Sequence, residues 1–303
     1  MAPRVWFAMS QAQFGYYFYR LMGSLAPLAS RRFGYWLAGK IGYAGYFLHP
    51  SGSAVLTENL SHVLGREADA ATLRAKALQV YGNLAKNYFD LFYNHSLSEQ
   101  EASALVSIQG VHHAERALKK GRGLVFTSAH FGPFDAAWQV GPVLDLTITA
   151  PAEHLKPERL YQYVCKLRAA SWMRLLPVDG PLFGLFRALR RGEAVAVAAD
   201  RDITRSGIVV DFFDAPARLP DGHVQLALRT GAELITCFAL RQADNSPTVH
   251  IEPPLELEQT GNFERDVQVN VQKVVARMEH WISRYPEQWP MLHPIWRDDQ
   301  HGS

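Results

Sequence analysis

From residue 106 onward, short apolar runs alternate with segments of helical spacing, and this alternation restricts the possible folds more than any other feature of the chain. Strands are expected over 123–129, 146–150, 194–199, 208–213, 234–240 and 249–251. Helices are expected over 133–141, 157–170, 181–190, 222–230 and 263–285. Runs of this length, separated by helices, specify an α/β fold whose central sheet is largely parallel or mixed and covered by helices. In such sheets the carboxyl ends of the strands are where sites collect. The first third reads helical instead, over 14–29, 31–47, 55–63 and 73–93, with Leu84, Tyr88 and Leu91 at helical spacing in the last.

Charge divides the chain where the pattern does not. No Asp or Glu precedes Glu58, while Arg4, Arg20, Arg31, Arg32 and Lys40 give that stretch +5; the remaining 26 basic and 29 acidic residues leave the rest at −3. The same stretch is aromatic: residues 1–50 hold 13 of the 35 Phe, Trp and Tyr. Rings and cations without acids suit the headgroup region of an anionic membrane surface, where each basic residue adds about 1 kcal/mol. Arginines interrupt the stretch too often for a transmembrane span. The expected division is therefore 1–50, amphipathic membrane-associating helices, and 51–303, an α/β catalytic domain; an aromatic-rich core helix pair is the other reading of 1–50. Cys165 and Cys237 stand far apart with no Cys/His cluster at metal spacing, which implies reduced thiols packed as small apolar groups.

The segment SAHFGPFD, Ser128 to Asp135, places a histidine after the run 123–129 and an aspartate five positions later. Positions five apart diverge by roughly 140° on a continuous helix, so the two side chains meet only across a turn. Gly132 supplies unusual dihedrals, and Pro133 suits the first position of a helix, which puts Asp135 in its first turn. So placed, His130 would take a proton from a hydroxyl and Asp135 would fix its tautomer. The same spacing also describes a plain strand-to-helix junction.

Other residues carry similar pairs of readings. Asp200, Arg201 and Asp202 follow the run 194–199, as a polar site for sugar and phosphate or as a salt-bridged turn. Arg168 shares a helix with Arg159 and Lys166, as a ligand contact or part of a solvated face, and Glu153 is an acid in a loop after a strand. Cys165 and Ser128 are conceivable nucleophiles, but no elbow such as GxSxG surrounds Ser128. Phe212, Phe213, Trp289 and Trp296 read as packing.

Several blocks together resemble one family. GRGLVFTSAHFGPFD carries the His-x4-acid motif of the lipid A biosynthesis acyltransferases, a family that includes the phosphatidylinositol mannoside acyltransferases. ENLSHVLG (58–65), IQGVHHAERALKKGRG (108–123), VDFFDAPARLPDGHVQLALRTGA (210–232) and RMEHWISRYPEQWPMLHPIW (277–296) are similar to its other blocks, in the same order, spanning roughly 5–297. APAEHLKPERLYQYVCKLR (150–168) and ADRDITRSGIVVDFF (199–213) look closer to the mannoside enzymes. The chain departs from the family at Pro133 and Phe134, commonly Asn and Trp, at His223, where Pro is frequent, and at Asp135, usually Glu in the lipid A enzymes.

The resemblance implies an O-acyltransferase moving a fatty acyl chain from acyl-CoA or acyl carrier protein to a hydroxyl of a membrane glycolipid, without an acyl-enzyme. A phosphatidylinositol mannoside-type acceptor is expected, with a lipid A-type (Kdo-lipid) acceptor as the alternative. His130 would be the base and Asp135 its orienting partner, with Glu153, Arg168, Asp200, Arg201 and Asp202 binding substrate. The implied setting is the cytoplasmic face of the inner membrane, held peripherally or monotopically. No metal, redox cofactor or nucleic acid is implied. Two other classes stay open on the residues alone: an acyl-thioester hydrolase and a noncatalytic lipid-binding protein.

Overall fold

The computed structural model describes residues 3–168, 172–180 and 183–296. Residues 1–2, together with the ends of the helices expected over 157–170 and 181–190, lie outside them.

Four helices open the chain: α1 (Pro3–Leu25), α2 (Arg31–Leu48), α3 (Pro50–Leu64) and α4 (Ala70–Asn94). Their starts are written in the sequence. Ser30 caps α2 by accepting from the Phe33 amide at 3.3 Å, and Asp69 caps α4 through the Thr72 amide at 2.7 Å. A short α5 (Glu99–Ala104) is opened by a capping box between Ser98 and Glu101. The α/β part then runs β1 (Ser107–Gln109), α6 (Val111–Leu118), β2 (Leu124–Ser128), a 3₁₀ turn (Phe134–Gln139), α7 (Val140–Leu144), β3 (Ile148–Ala152), α8 (Glu158–Arg168) and β4 (Met173–Pro177). It continues with α9 (Phe183–Arg190), β5 (Ala194–Ala198), β6 (Ile208–Phe212), β7 (Ala215–Leu219), α10 (Gly222–Thr230), β8 (Glu233–Arg241), β9 (Pro247–Ile251) and α11 (Phe263–Arg284).

Seven strands form one sheet in the order β1-β9-β8-β2-β5-β3-β4, and β6 pairs with β7 apart from it. Every neighbouring pair in the sheet is parallel except β8 with β9. The expected α/β class with a largely parallel sheet is what the chain forms, as a single domain.

Helices bury both faces, which explains why β2 and β8 read as continuous apolar runs rather than alternating ones. On one face Val125, Val195, Leu234 and Phe238 pack with Val224, Val271 and Met278 from α10 and α11. On the other, Phe126, Ile148, Ile235 and Cys237 meet Ala114, Ala136 and Val140. The N-terminal helices are built onto this body: α2 lies along α4, α1 against α8 and α4, and α3 against α11. Among the described residues, no helix is long and apolar enough to cross a membrane.

The structure adds α5, β1 and α6, which the sequence reading did not mark, starts α1 earlier than expected, and differs further in three places around the sheet. The segment expected to be a helix over 133–141 is a 3₁₀ turn followed by the short α7, because Pro133 takes ψ 62° and does not enter helical geometry. The edge strand β4 is only half-buried and ends in Pro177, so its pattern is weak. The β6–β7 hairpin turns on Phe213 and Asp214, both at positive φ (49° and 56°). That turn geometry is usually written with glycine, and here no glycine announces it.

Candidate active site

β2 and β5 run parallel with a fixed offset of seventy residues, from Leu124 opposite Ala194 to Ser128 opposite Ala198. Two residues past these carboxyl ends the same offset sets His130 beside Asp200. The ladder is prolonged by the Ala199 amide donating to the Ser128 carbonyl at 2.8 Å. The Asp200 carboxylate then accepts from the His130 amide at 2.8 Å, lies 2.8 Å from the imidazole Nδ1, and accepts from the Trp289 indole N–H at 3.0 Å.

Asp200 is fully buried, whereas the His130 side chain is 36% exposed. Burial alone would push the imidazole pKa down; the charge and hydrogen bond of Asp200 outweigh it, and the group sits above its ordinary 6.5. Burial would likewise raise the Asp200 carboxyl, but the His130 charge, with the bonds from His130 and Trp289, holds it below the usual carboxylate range. With Nδ1 occupied by Asp200, Nε2 is the nitrogen free to exchange a proton.

The imidazole borders a cavity of about 680 Å³ between the sheet and the helices α7, α8, α9 and α10. Its depth is apolar, walled by Phe126, Ile148, Ala150, Ala196 and Ala239 from four adjacent strands. Alanines on three of those strands leave the space that larger side chains would fill. Polar groups line the same cavity, His130, Glu153, Arg201 and Asp202 from beyond the strand ends and Asp135 and Arg168 from the 3₁₀ turn and α8.

Asp135 was expected to orient His130; instead its carboxylate belongs to Arg168. Arg168 Nε lies 3.0 Å from Asp135 Oδ1, and Nη2 donates to Oδ2 at 3.4 Å. The Trp138 indole also reaches Asp135, at 3.3 Å. The physical reason is the 3₁₀ turn, which carries Asp135 onto the α8 side of the cavity while Nδ1 faces β5. Phe134 stands between the two pairs, edge-on to the His130 ring at 5.7 Å and with the Arg168 guanidinium 5.8 Å from its centroid. Burial would lower the Arg168 pKa, but Asp135 outweighs it and keeps the cation firmly charged.

Asp200, expected among the substrate-binding residues, is corrected as well: a carboxylate with no exposed surface and three donors on it is a partner of His130, not a surface for a sugar. The remaining candidates are held by short polar contacts. Arg201 Nη1 donates to Glu153 Oε2 at 2.8 Å, bridging two strand ends. Asp202 folds its own loop by accepting from the Gly207 amide at 2.7 Å and from the Thr204 hydroxyl at 3.2 Å.

Cys165 and Ser128 also line the cavity. Burial pushes the Cys165 thiol up, away from a nucleophilic thiolate. Among the described residues, no three His, Cys, Asp or Glu side chains are grouped to hold a metal ion. Trp289 was read as packing, and it is fully buried; its N–H on Asp200 is the function that reading missed. The signal available beforehand was the shared ending of two strands, Ala-His after β2 and Ala-Asp after β5.

A histidine with one imidazole nitrogen free, opening on a largely apolar cavity with Arg168 and Arg201 in its lining, could exchange a proton beside an apolar chain. The chain belongs to the bacterial lipid A biosynthesis acyltransferase family, whose model matches residues 9–298, and it is an acyltransferase. It is 32% identical over 263 residues to a phosphatidylinositol mannoside acyltransferase of Mycobacterium tuberculosis, covering 84% of this chain and 81% of that one. To the enzyme of the same name from Mycolicibacterium smegmatis it is 30% identical over 266 residues, covering 84% and 83%. To the lipid A biosynthesis palmitoleoyltransferase of Escherichia coli K12 it is 25% identical over 189 residues, covering 61% and 60%.

Proposed function

We propose that this acyltransferase moves a fatty acyl chain from acyl-CoA or acyl carrier protein to a hydroxyl of a glycolipid, with a phosphatidylinositol mannoside-type acceptor favoured over a lipid A-type one. The higher identity and fuller coverage of the mannoside acyltransferases support that order. The observation that carries the reading is the His130–Asp200 pair, whose free nitrogen borders an apolar cavity.

The acyl chain lies in the cavity's apolar depth, with its thioester carbonyl beside His130. As the acceptor oxygen attacks that carbonyl, its proton passes to Nε2, and the Asp200 carboxylate stabilises the imidazolium without taking the proton itself. Arg168 is the cation we assign to the developing oxyanion. Collapse of the tetrahedral intermediate forms the ester and breaks the carbon–sulfur bond; the departing thiolate takes the proton back from Nε2. Atoms and charge balance, and no acyl-enzyme is formed.

The N-terminal helices support peripheral attachment to an anionic membrane surface, which in this reading is the cytoplasmic face of the inner membrane. α1 and α2 expose large apolar side chains such as Phe14 (71%), Trp36 and Ile41 beside Arg20, Arg32 and Lys40. A peripheral contact of this kind combines buried apolar area with attraction to anionic lipid. Because Tyr35 and Ala38 of α2 are buried against the body, removing residues 1–48 would open the core. Replacing the exposed Phe33 and Trp36 by Ala is the cleaner test. Binding to anionic vesicles should weaken roughly tenfold with the fold intact; unchanged vesicle binding would refute the attachment.

Activity is tested with labelled palmitoyl-CoA and membranes that contain the glycolipids. Label should enter a glycolipid and none should remain on denatured enzyme. Thioester loss without a labelled lipid would favour hydrolysis, and a stable acyl-enzyme would point to Ser128 or Cys165.

A further inference from the structure

The turn that carries His130 out of β2 is gripped at Gly132, two residues on. Gly132 takes φ +55°, and a side chain there would stand 1.9 Å from the Ala239 carbonyl oxygen, so only glycine fits. Its amide donates to the Gln288 carbonyl at 2.7 Å. Its own carbonyl accepts from the Asn87 side-chain amide of α4 at 2.7 Å. Neither Asn87 nor Gln288 lines the cavity.

Asn87 is itself held. Its Oδ1 accepts from Arg241 Nη2 at 2.6 Å, and the same nitrogen donates to Asp90 Oδ2 at 2.6 Å. The other oxygen of Asp90 accepts from the Tyr35 hydroxyl at 2.6 Å, and that hydroxyl accepts from Arg31 at 2.9 Å. The Arg241 backbone is clasped twice by the Gln288 side chain, at 2.8 and 2.9 Å. Asn87, Asp90, Arg241, Tyr35 and Gln288 are each less than 10% exposed. A polar network buried this completely is costly to leave half-made, so each member fixes the next.

We propose that Asn87 is a positioning residue for the catalytic turn, set by Arg241 and Asp90 and linked through Tyr35 to α2, the helix that presents the exposed apolar face. The role rests on the acyl-transfer function proposed above. The amide carries the constraint: its oxygen can bond only to a donor, Arg241, which leaves its N–H₂ for the Gly132 carbonyl. Loosening that bond lets the turn drift relative to the cavity, and misplacement by about 1 Å costs up to roughly 10²-fold in rate.

The test measures acyl transfer to glycolipid by wild type, Asn87→Ala, Asn87→Asp and Tyr35→Phe, with melting temperature alongside. Asn87→Asp keeps the acceptor for Arg241 and replaces the N–H₂ by an oxygen facing a carbonyl. We expect kcat to fall ten- to hundredfold, with the KM for the thioester and the acid limb of the pH profile unchanged. Tyr35→Phe should lower kcat severalfold in the wild type and no further in Asn87→Asp, because the two act along one chain. A folded Asn87 variant with wild-type kcat overturns the proposal, as do effects that multiply independently. If Asn87→Asp does not fold, Asn87→Ala and Tyr35→Phe carry the same comparison. Absence of transfer by the wild type itself would instead refute the proposed function.

Discussion

Two pairs border the same cavity, one through His130 alone and one through both of its members, Asp135 and Arg168, and they are built differently. His130–Asp200 sits on the sheet, where parallel strands fix both backbones and the carboxylate is fully buried under Trp289. Asp135–Arg168 spans a 3₁₀ turn and α8, with side chains 19% and 24% exposed and an ion pair that is close but poorly aligned. The rigid pair has a donor nitrogen committed to its acid and one nitrogen left for chemistry. The looser pair has a permanent cation whose donors are only partly used, which suits binding an anion that appears and disappears.

The sharpest way to break this contrast is Asp200→Asn. An amide can still accept from Trp289, but it turns an N–H₂ toward Nδ1, so the proton shifts to Nε2 and the base is lost. Transfer should drop on the order of 10³–10⁴-fold with the protein folded, as it should in His130→Ala. A variant retaining a tenth of wild-type activity would remove Asp200 from the mechanism.

The pH dependence sharpens the same point. Only neutral His130 accepts a proton, and Asp200 holds its pKa above 6.5, so kcat/KM should fall as pH drops through that raised value. In the residual activity of Asp200→Asn the supporting charge is gone and burial dominates, so the acid limb should move to lower pH. A limb that stays in place would show that another group titrates there.

Asp135→Asn should cost less, about ten- to a hundredfold in kcat, because it frees Arg168 without touching the base. Its acid limb should coincide with that of the wild type. If Asp135→Asn shifted the limb as Asp200→Asn does, the division between the two pairs would be wrong.

The sequence carried the fold class and the motif but not the pairing. Apolar runs over 123–129, 194–199 and 234–240 marked β2, β5 and β8, because strands covered on both faces must be apolar throughout. Which strands lie side by side is a long-range matter that no run records. The offset of seventy that joins His130 to Asp200 is set by sheet order. Local spacing therefore favoured Asp135, five residues away, over an acid seventy away. The hairpin at Phe213-Asp214 and the half-buried β4 escaped for a local reason: neither wears the residues its geometry usually selects.

A third buried group extends the contrast to one with no partner at all. His223, in the first turn of α10, has no exposed surface, and among the described residues neither ring nitrogen has a hydrogen-bond partner. Burial alone pushes its pKa down to about 3, the opposite of the net shift at His130. Its folded pKa lies below the unfolded 6.5, so the contribution to stability is full above that value. It is lost as pH falls toward 3, by up to about 1.4 kcal/mol per pH unit. His223→Leu removes the titration and two unsatisfied nitrogens at similar volume. Its stability, followed by denaturant unfolding from pH 7 to pH 4, should decline less steeply than that of the wild type, with kcat at neutral pH unchanged. Parallel decline of the two proteins would mean that His223 stays solvated or partnered when folded, and that burial without a partner is not what separates it from His130.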